Sequence, residues 1–149
     1  MAAKTKTWRE KMNNGKKPEV KKLGKSFADL KEGTGMLIST PVEIDQHVRR
    51  IARGKTKTVL QLRQELATKH KADGTCPLTT GIFLRIASEA ALEEIGAGKA
   101  PDDVTPFWRV VEPSSKLAKR LSCGDDFIRS MRTAENNYGN DKKSTPDTQ

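Results

Sequence analysis

Two helix-start signals lie close together in this sequence, and they constrain its fold more than any other feature. The first is Thr40-Pro41-Val42-Glu43 and the second is Thr58-Val59-Leu60-Gln61. Each places a hydroxyl residue three positions before an acid or an amide, which is the spacing of a capping box. Apolar residues follow both signals at helical spacing, and Gly54 is typical of a helix end. The sequence therefore predicts one helix from Pro41 to just before Gly54 and a second from Thr58 to about Lys69.

Further elements are predicted on the C-terminal side of these two helices. A third helix is expected from Leu78 or Thr79 to about Ile95, a short apolar strand over 107–111, and a last helix over about 125–135. The predicted buried stripe of the third helix is Ile82, Phe83, Ile86 and Ala90. Three helices with a sharp connection between two of them, followed by a strand and a turn, predict a winged helix-turn-helix. The fold class is thus mainly α with a small β wing.

Positive charge is concentrated at the start of the chain. The formal net charge is +9, and residues 1–25 alone carry nine Lys or Arg against two Glu, a local excess of +7. We therefore predict a basic, partly flexible N-terminal arm over 1–35, a folded domain over 36–135 and a disordered polar tail over 136–149. The arm either attracts phosphate or is a solvated tail that aids solubility. Trp8 either stacks on a base or anchors the arm to the domain.

Composition excludes several classes of protein. No apolar run approaches the length of a transmembrane helix, and two cysteines, Cys76 and Cys123, do not make a disulfide scaffold. Their spacing to His47 and His70 matches no compact zinc motif, so no metal and no cofactor is predicted. The first residues lack an export signal, so a cytoplasmic location is expected, with nucleoid association in a bacterium.

Three stretches carry a resemblance to a known family. They are Val48-Arg-Arg-Ile-Ala-Arg-Gly-Lys55 with the helix after Thr58, then Thr80-Gly-Ile-Phe-Leu84, then Thr105-Pro-Phe-Trp-Arg-Val-Val111. Residues 41–135 resemble the DNA-binding domain of the alkylguanine-DNA alkyltransferases, the methylated-DNA–protein-cysteine methyltransferase family, and their alkyltransferase-like relatives. The resemblance implies that the third helix docks in the minor groove of duplex DNA, in DNA repair or damage recognition, with a repair protein as a further partner.

The departures from the family pattern concern its catalytic residues. Phe107 and Trp108 occupy the positions of the family's nucleophilic Cys and its neighbouring His. Neither ring can form a thiolate or act as a general base, so the sequence predicts a protein that is not an enzyme. The Tyr that helps to rotate the base aligns with Val59, and the Arg that fills the vacated stack falls near Leu78 or Thr79.

Two functions are predicted from these observations. The first is non-catalytic DNA binding; the alternative is a protein-interaction module on the same fold, with an open apolar patch of Phe83, Phe107 and Trp108. The predicted DNA contacts are Arg49, Arg53, Lys55, Lys57, Thr58, Thr79, Thr80, Gly81 and Arg85. The predicted pocket and supporting residues are Pro106, Phe107, Trp108 and Arg109. Phe107 and Trp108 either line a remnant of a base pocket or fill it as core.

Overall fold

The computed structural model of this protein describes residues 7–147, with side chains through Asn137. Helices account for 53% of the chain, and a small sheet accompanies them. In chain order the elements are α1 (Trp8–Met12), β1 (Glu19–Lys22), β2 (Gly35–Ile38), α2 (Pro41–Arg49), α3 (Val59–Lys69), β3 (Gly74–Thr75), α4 (Pro77–Gly96), α5 (Lys116–Arg120) and α6 (Gly124–Asp147). Two 3₁₀ turns, Pro101–Asp103 and Phe107–Arg109, lie between α4 and α5. The protein is therefore mostly helical with a three-stranded sheet.

The sheet has the strand order β1-β2-β3. β1 pairs antiparallel with β2, so that Val20 faces Leu37, and β3 pairs parallel with β2, so that Leu37 also faces Thr75. β2 forms over the apolar run 36–38. Its Leu37 is fully buried, so the sheet covers one side of the helical core.

The predicted helix starts are present, and their caps explain them. The Thr40 hydroxyl accepts a hydrogen bond from the backbone N–H of Glu43 at 3.1 Å, with Pro41 at the first helical position. Thr58 and Gln61 form the complete reciprocal box, at 3.0 and 2.8 Å. Gly54 adopts a positive φ of 82°, which suits a glycine after the end of α2.

The core lies between these helices and the segment 104–111. Trp108 and Phe107 are the largest fully buried side chains, and they pack against each other edge to face with ring centroids 5.3 Å apart. The Phe127 ring of α6 lies 6.0 Å from both. Helix α4 contributes Leu84, and the apolar faces of the other helices close the core. Those residues include Ile44, Val48, Leu62, Leu66 and Ile128.

The strand predicted over 107–111 is wrong. Phe107–Arg109 is a 3₁₀ turn, in which the N–H of Arg109 bonds to the carbonyl of Pro106 at 3.0 Å and that of Val110 to Phe107 at 3.0 Å. An apolar run in the sequence does not distinguish a strand from a buried turn. Here the turn is formed, and it places both aromatic rings against Phe127 of α6. The β wing expected after the third helix is therefore not at this position; the sheet lies on the N-terminal side of α4.

Three further differences concern the helices. Ile82 on α4 was expected in the buried stripe but is 48% exposed, whereas Ala87 and Ala91 are buried. The link between α3 and α4 holds β3 and is longer than a tight turn. Helix α6 continues to Asp147, beyond the expected end near residue 135. Residues 1–6 of the predicted arm and 148–149 of the predicted tail lie outside the described residues. No helix within 7–147 is long and apolar enough to span a bilayer.

Candidate nucleic-acid interface

Phe107 and Trp108, which the resemblance places at the family's Cys and His positions, are core residues. Phe107 is 0% exposed and Trp108 is 1% exposed. The indole Nε1 of Trp108 donates a hydrogen bond to Glu135 at 2.9 Å. Of the two alternatives in the sequence, filling as core is therefore the one that the structure shows. The open patch of Phe83, Phe107 and Trp108, on which the interaction-module alternative depended, is not formed.

Arg109 joins the same buried cluster to the loop after α2. Its guanidinium donates to Glu135 at 2.9 and 2.8 Å and to the carbonyl oxygen of Ile51 at 2.6 Å. Burial alone would raise the pKa of Glu135, but the hydrogen bonds from Arg109 and Trp108 hold it below its usual value. Glu135 is thus an ionised, nearly buried carboxylate that links α6 to the segment 107–109. This arrangement stabilises the fold.

Most of the predicted cationic contacts near α2 and α3 are paired with carboxylates. Arg49 Nε lies 3.0 Å from Asp45, and Arg53 bonds to Asp102. Lys57 Nζ lies 2.7 Å from Glu65. An ion-paired cation must give up its partner, or share it, before it can neutralise a phosphate. We call these three cations, with their carboxylates, the paired region; nearby Lys55 is exposed and has no ion pair within the described residues.

The carboxylate that holds Lys57 is shared with a histidine. Glu65 Oε1 lies 2.6 Å from His47 Nε2, and a second such pair joins Glu43 to His70 at 2.6 Å. Burial raises the pKa of Glu65, but its hydrogen bonds with Lys57 and His47 lower it more, so the net shift is downward. Glu65 therefore stays charged and keeps Lys57 neutralised at ordinary pH.

The predicted contacts at the start of α4 divide into buried and accessible groups. Thr80 is fully buried, and both its hydroxyl and its N–H donate to the carbonyl of Cys76, at 2.6 and 3.1 Å. It cannot reach a phosphate from this position, so Thr80 is removed from the predicted contacts. The Thr79 hydroxyl is buried without a partner among the described residues. Gly81 is open, since a Cβ there would meet no atom within 4 Å.

A cleft of about 560 Å³ opens on this same face of α4. It lies between α1, the first turns of α4, and α5. Leu78 and Ile82 are 61% and 48% exposed, although both are large and apolar. The residues that line the cleft are Trp8, Lys11, Pro77, Leu78, Gly81, Ile82, Arg85, Ile86, Lys116, Leu117 and Arg120. We call this set the basic cleft.

Four cations border the basic cleft. Lys11 Nζ lies 4.1 Å from the centroid of the Trp8 ring, and the Arg85 guanidinium carbon lies 5.3 Å from it. Lys116 and Arg120 are exposed, four positions apart on α5, and so project on the same side of that helix. None of the four is ion-paired with a carboxylate within the described residues. The Nε atom of Arg85 is buried and also lacks a partner there.

The N-terminal segment forms one wall of the cleft because it is fastened to α4. The backbone N–H groups of Trp8 and Arg9 both donate to the Glu93 carboxylate at 3.0 Å, and the Arg9 side chain pairs with Glu94. Met12 is buried against the alanines of α4. Trp8 therefore anchors the start of the chain, which is one of the two roles that the sequence left open for it.

Neither cysteine lines the basic cleft, and the two do not form a disulfide. Cys76 is buried at the start of α4, where its sulfur accepts from the N–H of Thr79 at 3.5 Å. Burial and the nearby Glu89 raise the pKa of Cys123, which disfavours its thiolate. The environment of Cys123 is therefore not typical of an activated nucleophile. No group of three or more metal-ligating side chains occurs within the described residues.

Sequence reasoning missed the basic cleft as a unit. Trp8, α4 and α5 are far apart in the chain, and only the fold brings them together. The available signals were the i, i+4 pairs Leu78/Ile82 and Lys116/Arg120, which are too common to indicate a site by themselves.

Comparisons with protein-family models, curated proteins and solved structures find no significant match for this chain. The resemblance to the alkyltransferases thus depends on the motifs within residues 41–135 and stays a prediction.

Proposed function

We propose that this protein binds duplex DNA without catalysis, and that the basic cleft and the exposed faces of α4 and α5 form the contact surface. The observation that carries the proposal is the set of four cations around the cleft, none of them neutralised by a carboxylate in the described part of the chain. Unpaired cations gathered on one face attract a polyanion, because phosphate contact releases condensed counterions.

The apolar residues of this surface favour nucleic acid that is contacted in the minor groove. Leu78 and Ile82 project from the first turns of α4 beside the cations of α5. Minor-groove proteins use such apolar side chains against the sugars and base steps, with Lys and Arg on the flanking phosphates. We propose accordingly that α4 acts as the recognition helix of a winged helix-turn-helix of the alkyltransferase type.

The proposal excludes alkyl transfer at the position used by that family. The transfer needs a thiolate and a base, and Phe107 and Trp108 supply neither. Both rings are buried and no open pocket surrounds them. We therefore propose that a damaged base is not recognised at this position. Equal affinity for duplexes with plain and with alkylated guanine is therefore expected.

The test measures binding of a labelled duplex of about 20 base pairs by fluorescence anisotropy over a range of salt concentrations. Each phosphate contact contributes about −0.9 to the slope of log K against log salt. The Lys116→Gln, Arg120→Gln double variant is expected to weaken binding and to flatten the slope by about 2. The control is Lys69→Gln, Lys99→Gln, which removes two charges of exposed lysines that are paired with Glu43 and Glu94, at 3.2 and 3.7 Å.

Two outcomes contradict the proposal. The first is no binding of the parent protein at low salt, and the second is an equal loss in both double variants, which would indicate a response to net charge alone. A methyl adduct on the protein after incubation with alkylated duplex would contradict its non-catalytic part.

A further inference from the structure

The basic cleft contains more space than contact with a paired duplex requires. Its volume of about 560 Å³ lies in the range of small-ligand sites. A duplex surface can be neutralised by cations on a convex face, without any concavity. The cleft instead combines a concave apolar lining with cations around it, so its chemistry matches a ligand that carries both a flat apolar group and a negative charge.

Gly81 gives an independent indication that the space is used. Glycine inside a helix is unfavourable, and α4 tolerates it at its fifth residue. The backbone there does not need a positive φ, and no neighbour lies within 4 Å of the place that a Cβ would take. Neither conformation nor packing therefore accounts for the glycine. A side chain at this position would project into the open space that Gly81 lines in the cleft.

Arg85 provides an unsatisfied donor in the same cleft. Its guanidinium lies over the Trp8 ring, and its Nε is buried with no hydrogen-bond partner among the described residues. A buried donor without a partner is costly, and a ligand acceptor that reached Nε after a shift of the Arg85 side chain would relieve that cost. Lys116 and Arg120 lie at the other side of the cleft as further partners for negative charge.

We propose that the basic cleft binds one unpaired nucleotide of a DNA molecule, with the base against the apolar lining and the phosphate on Arg85, Lys116 and Arg120. The proposal rests on the proposed DNA binding and adds a preference to it, since a nucleotide that is already unstacked avoids the cost of extrusion. This cleft lies beside the anchored N-terminal segment and differs from the filled position at Phe107.

The first experiment compares a plain duplex with the same duplex carrying one extra unpaired adenosine. Binding is followed by anisotropy and by tryptophan emission, since the chain has only two tryptophans and Trp108 is buried. We expect the bulged duplex to bind about tenfold tighter and to change the emission of Trp8. The Trp8→Leu variant should lose that change in emission.

A pair of glycine variants separates the cleft from the rest of the surface. Gly81→Leu narrows the cleft and keeps every charge, while Gly96→Leu adds the same side chain at the far end of α4, where a Cβ also meets no atom within 4 Å. Gly81→Leu should abolish the preference for the bulge, lowering the affinity for the bulged duplex about tenfold more than the affinity for the plain duplex. Gly96→Leu should keep the preference and both affinities, and circular dichroism checks that both variants retain their helices.

Several results overturn the inference while leaving the proposed function standing. They are equal affinity for plain and bulged duplex, an equal effect of both glycine variants, or a Gly81→Leu defect of the same size on both probes. A Gly81-dependent change in Trp8 emission with an acidic Leu-Glu peptide, and none with the bulge, would assign the cleft to a protein partner. If no probe binds at low salt, the proposed function itself fails.

Discussion

The paired region and the basic cleft both contain Lys and Arg side chains, but these side chains have different partners. In the paired region, Arg49, Arg53 and Lys57 each contact a carboxylate. Around the cleft, Lys116 and Arg120 have no such partner in the described part of the chain. A paired cation contributes to holding the fold, whereas an unpaired cation keeps its capacity for an outside anion. The comparison teaches that net charge alone names only a candidate nucleic-acid binder, and that the pairing of its cations indicates which face to test for binding.

The largest expected effect tests whether paired cations hold the fold, and it uses the most buried ion pair of the described residues, Arg109–Glu135. Glu135→Gln should reduce the free energy of unfolding by about 3 kcal/mol, because it leaves the mostly buried Arg109 guanidinium without its counter-charge. The measurement is urea denaturation. The control is Glu112→Gln in the Arg132–Glu112 pair, where Glu112 is half exposed, and the expected loss is within about 0.5 kcal/mol. Equal losses in the two variants would contradict the assignment.

Acid provides a second measure of the same carboxylate. The pKa of Glu135 is lowered in the fold from a usual value of 4.5, so its contribution to stability is complete above about pH 4.5 and is lost as the pH falls through the lower folded pKa. The parent should therefore lose more stability than Glu135→Gln between neutral pH and acid, by at most the difference measured at neutral pH. Glu43 and Glu65 also have lowered pKa values, but they titrate in both proteins. Parallel stability curves would contradict the role of Glu135.

The third prediction compares charge removal in the two regions directly. Arg53→Gln, Lys57→Gln takes two cations from the paired region, and Lys116→Gln, Arg120→Gln takes two from the cleft. We expect DNA affinity to fall about tenfold, or about 1.4 kcal/mol, in the cleft variant and by less than about twofold in the other. Anisotropy at one low salt concentration suffices. The reverse order would show that the ion pairs open to bind DNA, and it would restore the contacts predicted from the sequence.

Local signals explain which parts of the fold the sequence predicts. The starts of α2 and α3 follow from caps at Thr40 and Thr58, whose partners are three residues away. The turn at Phe107–Arg109 could not be predicted, because its aromatic rings are fixed by contacts with α6. The exposure of Ile82 was missed for a related reason, since which side of α4 is buried depends on the helices that pack against it.

The candidate site was predictable only in part. The sequence identified cations near α2 and α3 without showing that Asp45, Asp102 and Glu65 would neutralise three of them. Asp102 lies 49 residues from its partner Arg53, so no local pattern reports that pair. Arg85 is the one predicted cationic contact that borders the basic cleft. Trp8 and α5 line the basic cleft only because tertiary packing brings them next to α4.

The smallest effect separates stability from binding at Thr58, one of the DNA contacts predicted from the sequence. Its hydroxyl accepts from the N–H of Gln61 at 3.0 Å, so it is engaged in capping α3. Thr58→Ala should cost about 1 kcal/mol of stability and change DNA affinity by less than about twofold. Thr58→Ser keeps the cap and should restore most of the stability. If Thr58→Ala weakens DNA binding at a temperature where the variant is fully folded, and Thr58→Ser does not, then the hydroxyl contacts DNA, and the boundary between the two regions must move to include the start of α3.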